Sequence, residues 1–121
     1  MKTGRKITGG KYHQNRKKRL HELDRQTRIV KLGEDKIKAL KVRSGHKKVL
    51  LSGNSVNLYD PKTKKSKKVK IKNVLETPSN KFLARQNILV KGAIIDTESG
   101  KAKITNRPSQ EGNVQAILII N

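Results

Sequence analysis

The sequence predicts an all-β protein: a small closed or nearly closed β-barrel of about six short strands with one short helical turn, preceded by a basic extended N-terminal arm. Three observations predict it. Apolar and polar residues alternate with period two through much of residues 33–121, the pattern of strands buried on one face. Clusters of Gly, Pro, Asn, Asp and Ser interrupt that pattern at short intervals, as they do between the strands of small all-β domains. Residues 1–32 hold 11 basic and 2 acidic residues and few apolar side chains, too few for burial to offset chain entropy. The expected organisation is therefore an arm, 1–32, disordered until it meets a partner, and a folded domain, 33–121.

Within the arm, Leu20 and Leu23 support at most one or two helical turns. Leu40 and Val42 then share one face while Lys41 and Arg43 share the other, and Ser44-Gly45 marks a turn. A short strand around Lys48–Leu51 ends at Ser52-Gly53-Asn54. Val56 and Leu58 alternate with Asn57 and Tyr59 until Asp60-Pro61 stops the strand. The stretch that follows, "DPKTKKSKKVKIKNV" from Asp60 to Val74, carries seven lysines. A block of like charge usually repels itself and stays unfolded. Its second half, Lys68-Val69-Lys70-Ile71-Lys72, nevertheless alternates strictly with β-branched residues. Lys62–Lys67 are thus expected to form a mobile hairpin tip and Lys68–Lys72 a strand with Val69 and Ile71 inward.

Thr77-Pro78 reads as a helix N-cap with proline at the first helical position. A two-turn helix through Phe82–Arg85 would follow, with Phe82 as a core plug. Ala93–Thr97 and Lys101–Thr105 flank Glu98-Ser99-Gly100, a hairpin signal. Val114–Ile120 is apolar on both faces and should lie centrally. The expected core is Leu40, Val42, Val56, Leu58, Val69, Ile71, Ile94, Ile104, Val114, Ala116 and Leu118. A closed barrel would also leave no exposed strand edges.

Charge narrows the function. Thirty Lys and Arg against 9 Asp and Glu give a net charge of +21 on 121 residues, which destabilises a compact chain unless a polyanion neutralises it. Nucleic acid is the leading partner, because Lys and Arg contacts to phosphates release condensed counterions. A membrane surface would call for a basic amphipathic helix with large apolar residues opposite, and the sequence offers none. It also has no apolar stretch of secretory-signal or membrane-spanning type. With no cysteine, disulfides and thiolate chemistry are excluded.

Motifs for catalysis are near misses. Gly4-Arg5-Lys6-Ile7-Thr8-Gly9-Gly10-Lys11 has the glycines of a phosphate-binding loop, but Gly10 separates Gly9 from Lys11 and Tyr12 follows where Ser or Thr is needed. Asp96 and Glu98 lie near Lys91, Lys101 and Lys103, so cross-strand charge pairing explains them better than acid–base chemistry. His13, His21 and His46 lack metal-ligand spacing. No catalytic residue, metal site or cofactor is expected, and the protein is not expected to be an enzyme. With Tyr12, Tyr59 and Phe82 as the aromatic residues, binding should rest on phosphates, sugars and shape rather than on base stacking, with Tyr12 the one stacking candidate.

The candidate RNA contacts in the arm are Arg5, Lys6, Lys11, Tyr12, Arg16, Lys17, Lys18, Arg19 and Arg25. In the folded domain they are Lys47, Lys48, Lys68, Lys70, Lys72, Arg85, Asn87, Lys91 and Arg107. Alternate side chains on a strand sit about 7 Å apart, comparable with neighbouring phosphates on one strand, which suits Lys68, Lys70 and Lys72. Arg85 and Arg107 can grip a phosphate with both edges of the guanidinium. Asn87 and Lys91, in "QNILVKGA", fall near a strand edge where their donors reach ribose or base.

These residues carry a resemblance. "GRKITGG" (Gly4–Gly10) and "RKKRLHEL" (Arg16–Leu23) resemble the N-terminal arm of the archaeal and eukaryotic type of small-subunit ribosomal protein eight. "ETPSNKFLARQNILVKGAIIDTESGKAKITNRPSQEG" (Glu76–Gly112) is similar to that family's C-terminal half, and "VQAILI" (Val114–Ile119) to its last strand. Asp24 stands where the family usually has Gly, and Thr77-Pro78 where it usually has Asn-Pro. The chain resembles the short archaeal form, without a large middle insertion. The resemblance implies a cytoplasmic structural protein of the small ribosomal subunit, one copy per subunit, bound to small-subunit rRNA and neighbouring ribosomal proteins. It implies no membrane and no small-molecule substrate. The alternative reading is a general nucleic-acid compaction protein or RNA chaperone, which would share the charge without needing a fixed surface.

Overall fold

The computed structural model describes residues 4–13, 15–23 and 27–119. A 3-10 turn at Leu20–Glu22 precedes eight strands and one helix. The strands are β1 (Lys31–Leu32), β2 (Lys36–Val42), β3 (Gly45–Gly53), β4 (Ser55–Asp60), β5 (Lys65–Glu76), β6 (Ile94–Thr97), β7 (Gly100–Ile104) and β8 (Gln115–Leu118). The helix, α1 (Lys81–Arg85), lies between β5 and β6. Five strands close the barrel in the order β4-β5-β6-β7-β8, and β1-β3-β2 form a separate sheet. Four of the barrel's pairings are antiparallel neighbours in sequence. Closure comes from β8 running parallel to β4, with Leu58 opposite Ala116.

The period-2 readings of β4 and β5 hold. Val56 and Leu58 face in, as do Val69 and Ile71, while Lys68, Lys70 and Lys72 are exposed. The strand starts earlier than expected, so Lys65 and Lys67 belong to it and only Pro61–Lys64 form the tip. Asp60 organises that tip: its carboxylate accepts from the Lys62 N–H at 2.9 Å and the Thr63 hydroxyl at 2.8 Å. These two bonds, the hydroxyl first, hold the Asp60 carboxyl below its ordinary range. The β6–β7 hairpin is where its sequence placed it, turning at Glu98-Ser99, and Gly100 opens β7 at φ 123, a region that L side chains avoid.

Several expectations are corrected. Val42 is 39% exposed, because it sits at the tip of the β2–β3 hairpin opposite Gly45, beyond any covering layer. Leu40 is half-buried. On β6 the inward residues are Ala93, Ile95 and Thr97, and Ile94 is half-buried, a one-residue slip that reverses the faces. Phe82 is 70% exposed and plugs nothing, because the helix is a single five-residue segment that turns Leu83 and Ala84 inward instead. Asn80, not Thr77, caps it, its Oδ1 accepting the Phe82 N–H at 3.0 Å. On β8, Val114 and Ala116 are buried and Leu118 is half-buried, but Ile117 and Ile119 face outward; Ile120 lies outside the described residues.

The core also holds residues that alternation did not reveal. Val30, at 1% exposure, packs with the barrel cluster beside Leu50, Val74, Leu89, Ala93, Ile95 and Ala102. Backbone bonds stitch this entry segment down: Leu89 N–H to the Val30 carbonyl at 2.8 Å, and Leu32 N–H to the Asn87 carbonyl at 2.9 Å. Val49 and Leu50 are consecutive and both buried, so β3 is covered on both faces at that point.

Candidate nucleic-acid interface

In the arm, the glycine-containing stretch folds back on itself. Lys6 and Gly10 are joined by a backbone bond of 2.8 Å, Gly9 turns the chain at φ 80, and Arg5 pairs with Lys11. The Lys6 ammonium stands 5.6 Å from the centre of the Tyr12 ring, a cation–π distance. Arg16 is engaged inside the arm: its guanidinium donates to both Glu22 oxygens, at 2.9 and 2.6 Å, and the Arg19 N–H donates to the same carboxylate. Those bonds, Arg16 foremost, hold the Glu22 carboxyl below its ordinary range and raise the Arg16 guanidinium. Lys17, Lys18 and Arg19 are exposed. Arg25 lies outside the described residues. Ile7, Leu20 and Ile29 are also exposed, at 109%, 88% and 53%, so the arm carries apolar surface that the barrel does not cover.

The β2–β3 hairpin forms a two-stranded ribbon. From Lys36 to Lys48 every residue is exposed except the half-buried Leu40. Lys47 and Lys48 lie here, joined by Lys36, Lys38, Lys41 and Arg43, with no acidic residue in the span. On the barrel wall, Lys68 stands opposite Asn57 and Lys70 opposite Ser55 on β4, and neither lysine forms an ion pair among the described residues. Lys72 falls at a slip in the β5–β6 register, which bends the strand locally.

At the far side, Lys91 and Arg107 come together with Arg28 around a hollow of about 250 Å³. Asn106 positions this loop. Its amide nitrogen donates to Glu111 at 2.8 Å and to the Asn113 carbonyl at 2.9 Å, and its oxygen accepts the Gln115 N–H at 3.0 Å. Arg107 is thereby held between two buried residues, Asn106 and Pro108. Sequence reasoning missed Arg28 and Asn106, because nothing local connects position 28 with 91 and 107.

Arg85 lies on α1 with its guanidinium 5.9 Å from the Phe82 ring centre. Asn87 ends the helix in a left-handed conformation, φ 52. It is half-buried, and its Oδ1 accepts the Val74 N–H at 3.3 Å, so much of it serves the junction between α1 and β5. Asp96 and Lys101 are register partners. Yet Arg16–Glu22 is the ion pair formed among the described residues, so Asp96 and Lys101 do not close to one. Apart from Arg16, the described cations of the arm, ribbon, barrel wall and hollow thus form no ion pair with a carboxylate of the described residues, an arrangement suited to a polyanion.

The family model for Ribosomal protein S8e matches residues 1–119. The chain belongs to this family. The stretches that carry the resemblance, Gly4–Gly10, Arg16–Leu23, Glu76–Gly112 and Val114–Ile119, all fall within the S8e match. Among its relatives, the small ribosomal subunit protein eS8 of Methanococcus aeolicus is 52% identical over 117 residues, covering 95% of this chain and 91% of the relative. That of Methanocella arvoryzae is 47% identical over 119 residues, with 98% and 95% covered. The protein of the same name from Nanoarchaeum equitans is 47% identical over 116 residues, with 95% and 91% covered. These S8e relatives are archaeal, in keeping with the short form that the sequence resembles.

Proposed function

We propose that this protein is a structural constituent of the small ribosomal subunit that binds and stabilises small-subunit rRNA through phosphate and sugar contacts. The observation that carries the reading is the set of exposed cations without internal carboxylate partners, held on a rigid barrel by buried β4 and β5 side chains. The relatives' name, small ribosomal subunit protein eS8, supports the same assignment. In this reading Lys68, Lys70 and Lys72 line one phosphate track, and Lys91, Arg107 and Arg28 clamp another. The arm, with its exposed Ile7 and Leu20, orders as it threads between RNA helices. Arg5, Lys6, Lys11, Lys17, Lys18 and Arg19 meet phosphates there, and Lys47 and Lys48 do so on the ribbon. The protein works in the cytoplasm within the ribosome, one copy per subunit, beside other ribosomal proteins, with no catalytic step, membrane or small-molecule substrate.

The test is retention. Tagged protein expressed in an archaeal host should co-sediment with the small subunit at one copy each and stay there through a high-salt wash. Release at moderate salt, with binding to any RNA in proportion to its length, would favour a compaction protein instead.

A further inference from the structure

Between α1 and the end of β5 lies a cleft of about 500 Å³, within the range of small-ligand sites. It exists because β5 slips register twice against β6, between Ile71 and Asn73 and again between Val74 and Glu76, which interrupts the ladder beside the helix. The groups around it are unusual for an idle surface. Asn73 and Asn87 both turn Oδ1 to the Val74 N–H, at 2.9 and 3.3 Å. Their amino groups have no hydrogen-bond acceptor among the described residues. Thr77 is fully buried, and its hydroxyl has no partner among the described residues, an exception that calls for an explanation. Glu76 supplies a carboxylate acceptor, and Lys81 and Arg85 complete the lining. The planar Arg85 guanidinium is backed, outside the lining, by the exposed Phe82 ring at 5.9 Å.

Donors and an acceptor set around a slot beside a stacking plane match the polar edge and flat face of a nucleobase. A phosphate fits the slot poorly, since Glu76 would repel it, while Lys81 offers it a cation. Unstacked RNA bases are held in this way, on aromatic rings or guanidinium planes with their edges hydrogen-bonded. We infer that the cleft takes one unpaired RNA nucleotide turned out of its helix. The base lies on the Arg85 guanidinium, which Phe82 backs, with its edge toward Asn73, Glu76 and Asn87, and its phosphate meets Lys81. The inference rests on the RNA-binding reading and adds a base-contacting site to it.

The experiment uses the full chain and two RNA hairpins that differ only in one bulged 2-aminopurine nucleotide, titrated at low salt. The bulged hairpin should bind about tenfold tighter, the effect of one stacked base, with a change in 2-aminopurine fluorescence on binding. Phe82→Ala and, separately, Asn73→Ala should each remove most of that preference while leaving the paired hairpin's affinity unchanged. Both side chains are exposed, and thermal melting verifies that each variant folds. Equal binding of the two hairpins by the unsubstituted protein overturns this inference and leaves the RNA-binding reading intact. A preference that survives both substitutions overturns it as well. Failure to bind either hairpin overturns both.

Discussion

Val69 lies directly opposite Val56 across the β4–β5 pair, and both side chains are buried, while the lysines on either side of Val69 point to solvent. That arrangement separates folding from binding within one run of residues. Val69→Ala with Ile71→Ala should lower stability by several kcal/mol, about 2–5 from the isoleucine alone, and keep every charge. Lys68→Ala, Lys70→Ala and Lys72→Ala together should leave stability unchanged or slightly raised by relieved repulsion. The triple variant should bind rRNA more weakly, with a log–log salt slope shallower by about 0.7–0.9 per lost phosphate contact. Denaturant titration and binding at several salt concentrations read the two effects. An unchanged affinity and slope would mean that this face looks at water.

Ile104 and Val42 were expected in the same core but meet different surroundings, at 1% and 39% exposure. Ile104→Ala should cost about 2–5 kcal/mol, whereas Val42→Ala should stay within about 0.5–1 kcal/mol, as for a site near the surface. Comparable losses in urea titrations would contradict the hairpin's placement.

Asn106 satisfies three partners in the loop before β8. Asn106→Ala leaves the Gln115 N–H and the Asn113 carbonyl to find others, and should cost about 1–3 kcal/mol. Because the loop carries Arg107 into the hollow with Arg28 and Lys91, RNA affinity measured well below the melting temperature should fall too. Full affinity in a destabilised variant would show that the hollow is not a contact.

Glu22 titrates low because Arg16, and then the Arg19 N–H, stabilise its charged form. A folded value below the unfolded one means that the pair supports the 3-10 turn at neutral pH and that this support fades as pH falls through the folded value. Arg16 is exposed and Glu22 only half-buried, so salt should weaken the effect. In the RNA-bound protein, where the arm is ordered, a carboxyl-detected NMR titration should find Glu22 below the ordinary glutamate range, and Arg16→Ala should return it upward. No response to the substitution would remove the pair from the account.

Residues 1 to about 29 should exchange amide hydrogens freely in the isolated protein and become protected on RNA, since their net positive charge and exposed Ile7 and Leu20 leave little to hold them alone. Val30–Leu32 should differ, being bonded to the Asn87–Leu89 segment. Strong protection across Arg16–Leu23 without RNA would count against the arm reading.

Alternation at Val56–Leu58 and Val69–Ile71 is a local property, and one buried face is enough to make it visible; the sequence alone therefore determined the inner faces of β4 and β5. It likewise determined the β6–β7 hairpin, through Glu98-Ser99-Gly100, and the demand of a +21 chain for an anionic partner. Burial of Val30, the inward turn of Ile95 rather than Ile94, and the exposure of Phe82 were decided by what packs against each residue from elsewhere in the chain. The same holds for the parallel closure of β8 on β4, the two slips of β5 against β6, and the meeting of Arg28, Lys91 and Arg107. Such features depend on pairings between segments tens of residues apart, whose energies are shared between distant side chains and leave no period in either segment. Only the closed barrel brings those segments into contact, and with them the surface on which the charges act.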